Sequence, residues 1–196
     1  MRNHRIPLAI ALVALAALCA APAAAESLDL SAGTMQLGGS LTFTSMVFVP
    51  EEGDSETFYL LSVQPTFAAF VAQGLEIGGG LGATAWFGDA EDMFNSQVNL
   101  FFSVRYVIDT RTIVSPYFGG KFGASFLIPS DDETDVDTST AIFVAVPMGV
   151  LLALNKSVAI SLGLEVQVYA WLDGPYMKDT VQLQVPVGYI GVEAFF

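Results

Sequence analysis

From Ser157 to Trp171 the chain reads SVAISLGLEVQVYAW, with an apolar residue at every second position. Val158, Ile160, Leu162, Leu164, Val166, Val168 and Ala170 share one side. Ser157, Ala159, Ser161, Gly163, Glu165, Gln167, Tyr169 and Trp171 share the other. A helix of 3.6 residues per turn would scatter both sets around its axis, whereas a strand sends successive side chains to opposite faces. The stretch therefore predicts a long strand with one continuous apolar face. The alternation recurs eight times, over residues 34–48, 57–71, 75–87, 96–108, 112–127, 141–154, 157–171 and 182–196. In the fourth, Val98, Leu100, Phe102, Val104 and Tyr106 oppose Gln97, Asn99, Ser103 and Arg105. In the third, Leu75, Ile77, Leu81 and Ala83 oppose Glu76, Gly78, Gly80, Gly82 and Thr84.

The connections alternate in length. Tight ones follow strands 2, 4 and 6, around Ala72-Gln73-Gly74, Asp109-Thr110-Arg111 and Asn155-Lys156. Longer, acidic ones follow strands 1, 3, 5 and 7: PEEGDSE, GDAEDMFNS, PSDDETDVDTST and LDGPYMKDT. Short turns at one end and long loops at the other are the pattern of an outer-membrane barrel, and an even strand count places both termini at the short-turn end. The expected fold is all-β, an eight-stranded antiparallel up-and-down transmembrane β-barrel. A soluble barrel of lipocalin type is the alternative, with its apolar face turned inward. The apolar strands, the lopsided loops and an export signal favour lipid on the outside. Pro65, Pro116, Pro147 and Pro186 count against unbroken strands, since proline donates nothing to a ladder; bulge or rim positions are expected for them.

That export signal is MRNHRIPLAIALVALAALCAAPAAAES: Arg2 and Arg5, an apolar stretch, then Ala23-Ala24-Ala25. It predicts a secretory signal peptide over residues 1–25, cleaved before Glu26. A retained membrane anchor is the alternative reading. Bulky Leu18 before Cys19 argues against lipid attachment at that cysteine. A short periplasmic segment, 26–33, then leads into one barrel domain, 34–196. Cleavage would remove the single Cys and the single His (His4), and with Arg2 and Arg5 gone the formal charge moves from -13 to -15. No disulfide framework is expected. Nor is a nucleic-acid partner, because no basic patch exists to neutralise phosphates.

Without histidine the mature chain lacks the usual proton-transfer group of lipase, protease and lipid A-modifying sites, so the reading is a non-enzyme with no catalytic residues. The acidic run DDETDVDTST invites a calcium loop starting at Asp131, but Val136 stands where the template needs Gly and Ile142 where it needs Glu. A solvated loop tip is expected, with no metal and no cofactor; loose divalent-cation bridging to lipopolysaccharide is the functional alternative. The glycines at 74, 78, 79, 80 and 82 lie inside a strand pattern and predict curvature and close packing. Trp86, Trp171, Tyr59, Tyr169 and Phe126 near the long loops, with Tyr106, Phe195 and Phe196 near the short turns, predict two aromatic bands at the membrane interfaces.

Three stretches carry a resemblance: SVQPTFAAFVAQGLEIGGGLGATAW, SPYFGGKFGASF and the C-terminal VGYIGVEAFF. Together they make residues 34–196 similar to the small eight-stranded outer-membrane β-barrels of the OmpX-like and opacity-protein-like kind. The resemblance implies residence in the outer membrane of a Gram-negative bacterium, amid outer-membrane lipid and lipopolysaccharide. It also implies that Gly191, Val192 and Phe196 belong to a C-terminal signal read by the barrel-assembly machinery; Ala194 departs from that pattern, which favours a larger apolar residue.

Five charged residues fall on the inward side of the alternation: Glu76, Arg105, Lys121, Glu165 and Glu193. In lipid each would be costly, whereas inside a narrow lumen opposite charges can pair. The expectation is that Arg105 bonds Glu76 or Glu193, with Glu76 on the adjacent strand the closer, and that Lys121 reaches Glu165. The expected role is structural or surface-interacting, with acidic loops outside, a plugged polar lumen and an unidentified extracellular partner. A narrow channel or carrier for small hydrophobic molecules is the alternative.

Overall fold

The computed structural model describes residues 27–48, 56–88, 96–128, 138–173, 179–184 and 188–196, without the side chains of 44–48, 56–58 and 86–88. Residues 1–26, Pro186 and nearly all of the acidic loop residues lie outside the described residues.

The period-2 segments form strands: β1 Met35–Phe48, β2 Glu56–Ala72, β3 Leu75–Gly88, β4 Ser96–Val107, β5 Val114–Ile128, β6 Ser139–Asn155 and β7 Val158–Asp173. The last predicted strand is two pieces, β8 Val181–Gln184 and β9 Tyr189–Phe195. Each of β1 to β7 is antiparallel to the next, and β9 pairs with both β7 and β1, which closes an eight-stave barrel. At 12 to 17 residues the seven long strands exceed the 9–11 or so that a tilted strand needs to cross a bilayer's hydrocarbon. Among the described residues no helix is long and apolar enough to cross a membrane.

Facing follows the alternation. Leu37, Leu41, Phe67, Leu81, Leu100, Phe102, Phe118, Phe122, Val144, Leu164 and Val192 are all exposed on the outer wall. An apolar belt of this size has no place in water and fits hydrocarbon. The lumen holds the opposite set. Gly80 shows how it is filled: a Cβ there would come within 2.7 Å of the Phe101 ring, so glycine on β3 makes room for an aromatic residue on β4.

Two of the prolines occupy neither bulge nor rim. Pro65 pairs with Gly39 in mid-strand, and the β2–β3 register is the same on either side of it. Pro147 faces Glu165, and the β5–β6 register is likewise unchanged between Phe118–Met148 and Lys121–Ala145. Each proline interrupts one ladder locally and keeps the other neighbour, so closure survives. Pro116 does lie at an end: its backbone is beyond the last β4–β5 pair, Val107 with Tyr117.

The eighth stave departs most from expectation. Gly163 faces Tyr189, while Gln167 faces Gln184. Four steps along β7 thus meet five along the stave, a one-residue slip. A slip of one exchanges the two faces of a strand. Accordingly Tyr189, Gly191, Glu193 and Phe195 point inward on β9, whereas β8 turns Val181 and Leu183 outward, 72% and 65% exposed.

Candidate functional site: a charged layer in the lumen

Three layers fill the barrel. At the short-turn end Leu28, Leu30, Phe70, Val107, Tyr117, Leu151, Ala153, Ala159 and Phe195 form an apolar cluster. Leu28 and Leu30 come from the segment before β1, which folds back into the mouth. Hydrogen bonds fasten it to two turns and a strand end: Asp29 N donates to Lys156 O (3.3 Å), Gly74 N to Leu30 O (3.0 Å) and Gly33 N to Phe70 O (2.8 Å). The Ser31 N–H and hydroxyl both donate to the Asp29 carboxylate, and these bonds hold its pKa below the ordinary value. At the long-loop end a second cluster joins Phe101, Leu127, Ala141, Phe143, Ala145, Tyr169 and Trp171.

Between the clusters lie the charges. Register sets Glu76 of β3 directly opposite Arg105 of β4, and barrel closure brings Glu193 of β9 to the same guanidinium. Arg105 Nη2 donates to Glu76 Oε2 at 2.7 Å. Nη1 and Nη2 also donate to the two oxygens of Glu193, at 2.8 and 2.6 Å. The adjacent-strand carboxylate is thus not the favoured partner: Glu193, across the lumen, takes the bidentate bond. The guanidinium is a planar fork matched to a carboxylate. Aimed into the lumen from β4, it presents two N–H groups to a facing acid more readily than to one on its own wall.

Lys121 of β5 donates to Glu165 Oε2 of β7 at 2.6 Å and to Gln64 Oε1 of β2 at 2.9 Å. The bonds continue up β7, where Gln167 Nε2 donates to Glu165 Oε1 (2.5 Å) and the Tyr169 hydroxyl to Gln167 Oε1 (2.6 Å). Aromatic faces cover both cations, with Tyr117 5.0 Å from the Arg105 guanidinium carbon and Phe101 4.8 Å from Lys121 Nζ. The side chains of all five charged residues are at most 13% exposed. Tyr117 and Tyr189 join hydroxyls across the lumen. A Cβ at Gly163 would lie 2.6 Å from either oxygen, so glycine is needed there.

Gln64, Gln167, Tyr117 and Tyr189 were absent from the predicted set, although the strand alternation already turned all four inward. The aromatic bands are corrected in three places. Tyr169 and Trp171 are buried in the lumen, stacked with centroids 6.1 Å apart, and Phe195 is buried against Phe70. Tyr59, Phe126, Tyr106 and Phe196 are exposed on the outside; the Trp86 side chain lies outside the described residues. Of the C-terminal signal residues, Gly191 points inward and Val192 outward, while the Phe196 and Met35 backbones exchange two hydrogen bonds at the closing seam.

No protein-family model and no curated protein sequence matches the chain. A solved structure does: Neisserial surface protein A, with a TM-score of 0.59 at 15% identity over 84% of this chain and 97% of that one. The fold is that of a small outer-membrane-type β-barrel. A designed transmembrane β-barrel also aligns, at a TM-score of 0.45, 14% identity and 86% coverage of this chain. These are likenesses of architecture. A barrel of this type has its outer belt in lipid and its lumen closed off from lipid, which explains why every described buried charge in this chain lies inside.

Proposed function

We propose that the protein is an integral outer-membrane barrel of Gram-negative bacteria, exported by a cleaved leader, whose lumen is a plug and whose acidic long loops form a contact surface outside the cell. The observation that carries this reading is the charged layer. Arg105 spans the barrel to Glu193, Lys121 spans it to Glu165, and an apolar seal lies beneath them. Side chains fill an eight-stranded lumen, and an ion would have to break these pairs to pass. Nothing in the mature segment supplies a histidine base, and the reading includes no catalysis. Lipopolysaccharide surrounds the outer face in this reading. The C-terminal stave is recognised by the assembly machinery, so deleting Phe196 should lower the amount of protein reaching the outer membrane. Planar-bilayer recording tests the plug: wild type should show little steady conductance, and large, stable conductance would overturn it.

One observation favours a carrier for small hydrophobic molecules as a second reading. β1 pairs with β9 only over Gln36–Thr42, and among the described residues Phe43–Phe48 have no ladder to β8, which pairs only with β7. This stretch without a ladder among the described residues lies beside the aromatic upper lumen. Uptake of an apolar fluorophore by liposomes holding the refolded protein, above that of empty liposomes, would favour this reading over the plug.

A further inference from the structure

The segment before β1, residues 27–34, crosses the short-turn mouth. Its Asp29 N–H donates to Lys156 O in the β6–β7 turn, and its Leu30 O accepts from Gly74 N in the β2–β3 turn. In a ring of eight staves those two turns stand on opposite sides, so one short stretch bars the opening between them. Leu28 and Leu30 sink from it into the apolar cluster. Tyr117 belongs to that cluster and also, with Tyr189, to the lining of a cavity of about 60 Å³ in the charged layer. Arg105, Lys121, Glu193 and Ser103 line the same cavity. The segment thus stands between the short-turn side and the charges.

Two features set this segment apart from the staves it covers. The first is that it holds its own shape. The Ser31 N–H and hydroxyl bond the Asp29 carboxylate, and Thr34 N donates to Ser31 O at 3.2 Å. The second is that it is lightly fastened. Among the described residues two backbone bonds tie the part before Gly33 to the barrel, at 3.0 and 3.3 Å. From Gly33 onward the attachment is continuous: Gly33 N donates to Phe70 O, Phe70 N donates to Thr34 O, and the β1–β2 ladder begins at Met35. Gly33 itself has a φ of +97°, and a Cβ there would meet nothing within 4 Å. A glycine in open space, between a loose segment and a fixed strand, can turn without displacing a neighbour. Segments fastened this lightly open well before the fold as a whole.

We propose that residues 27–32 form a hinged lid, closed at rest, which turns about Gly33 and admits water and small polar solutes to the charged layer from the short-turn side. Burial of the two leucines keeps the lid shut, and its internal bonds let it swing as a unit. The long-loop end is built otherwise. There Phe101, Phe143, Tyr169 and Trp171 all belong to long strands and are fixed by their ladders. Access is therefore one-sided. The lid rests on the plug reading, since it needs a lumen closed at rest. It is tested by the access of a reagent instead of by conductance, so the two fail separately.

The test is thiol labelling of a cavity reporter, Ser103→Cys, in the refolded mature barrel in micelles. Residues 26–196 contain no other cysteine. Iodoacetamide should react slowly, at a rate that is flat in low urea, because swinging the lid exposes little surface. Leu30→Ala in the same background should raise that rate about tenfold or more, whereas Phe143→Leu in the upper cluster should leave it unchanged. Leu28→Ala takes the place of Leu30→Ala if the latter does not fold. Amide exchange locates the hinge and needs no reporter, so it decides if Ser103→Cys does not refold. Gly74, whose N–H is bonded to Leu30 O, should exchange faster than Gly33, whose bond to Phe70 O lies on the fixed side. A labelling rate that climbs with urea in step with global unfolding would overturn the lid. So would equal rates in Leu30→Ala and wild type, a rate raised as much by Phe143→Leu, or a Gly33 amide that exchanges as fast as Gly74.

Discussion

The two halves of this lumen are built differently. At the short-turn end every stave is paired on both sides, β9 ties β7 to β1, and the Ser27–Thr34 segment is folded into the mouth over an apolar cluster. At the long-loop end aromatic rings and amides fill the space, and among the described residues β8 and the end of β1 share no ladder. The difference shows what closes a barrel whose last stave is interrupted. Among the described residues closure rests on the Gln36–Thr42 ladder to Tyr189–Phe195, with side chains at its own level holding strands together across the lumen. Arg105 and Lys121 do that, joining β4 to β9 and β5 to β7, pairs of strands that the sheet alone does not make neighbours.

If the lower half holds the structure, its variants should cost most. Arg105→Ala removes the partner of two buried carboxylates at once and should lose about 3–5 kcal/mol, the cost of stripping a buried charge, in urea unfolding from micelles. Leu30→Ala hollows the seal and should lose about 2–4 kcal/mol in the same assay. It should also speed amide exchange at Gly74, whose N–H donates to Leu30 O. In the upper half, Trp171→Phe removes the 3.1 Å indole bond to Gln182 while keeping a ring in the stack, and should lose only about 1 kcal/mol. Equal losses for Arg105→Ala and Trp171→Phe would erase the distinction. Hydrogen exchange sharpens it: backbone amides of β8 should exchange faster than those of β9, because among the described residues β8 pairs on one side only, with β7.

The smallest effect is expected from pH, at the edge of the seal. The Asp29 pKa is lowered by its bonds from Ser31. A carboxylate with a lowered folded pKa contributes fully above its unfolded pKa of about 3.9, and the contribution is lost as pH falls through the lower folded value. Between pH 7 and 5 the segment should be unchanged. Well below pH 4 the Ser31 amide should lose protection before Gly74 does, and Asp29→Asn should show weakened Ser31 protection already at neutral pH.

Much of this was legible in the chain. Alternation places a residue in or out whatever its neighbours, and on that basis it put Arg105, Lys121, Glu165, Glu76 and Glu193 on the lumen side. The same rule, applied to neutral residues, reaches Tyr117 and Gln167. Composition alone misleads where it overrides that rule: Tyr169 and Trp171 read as interface aromatics, although Glu165 and Gln167 of the same strand share their face. The apolar periodicity thus determined by itself that the chain forms strands, about eight of them, with charge inside and an apolar belt outside.

Which carboxylate takes the two-pronged bond of Arg105 was decided only by the closed barrel. Facing depends on one strand, whereas the meeting of Arg105 with Glu193 depends on the stagger accumulated around every ladder, and a slip of one residue anywhere alters it. The slip between Gln184 and Tyr189 belongs to this class, for it swaps faces within a stretch whose apolar residues read as one strand. So does the docking of Leu28 and Leu30: the alternation Leu28-Asp29-Leu30 is too short to name what it packs against, and only the open mouth of a finished barrel gives the two leucines an apolar surface to cover.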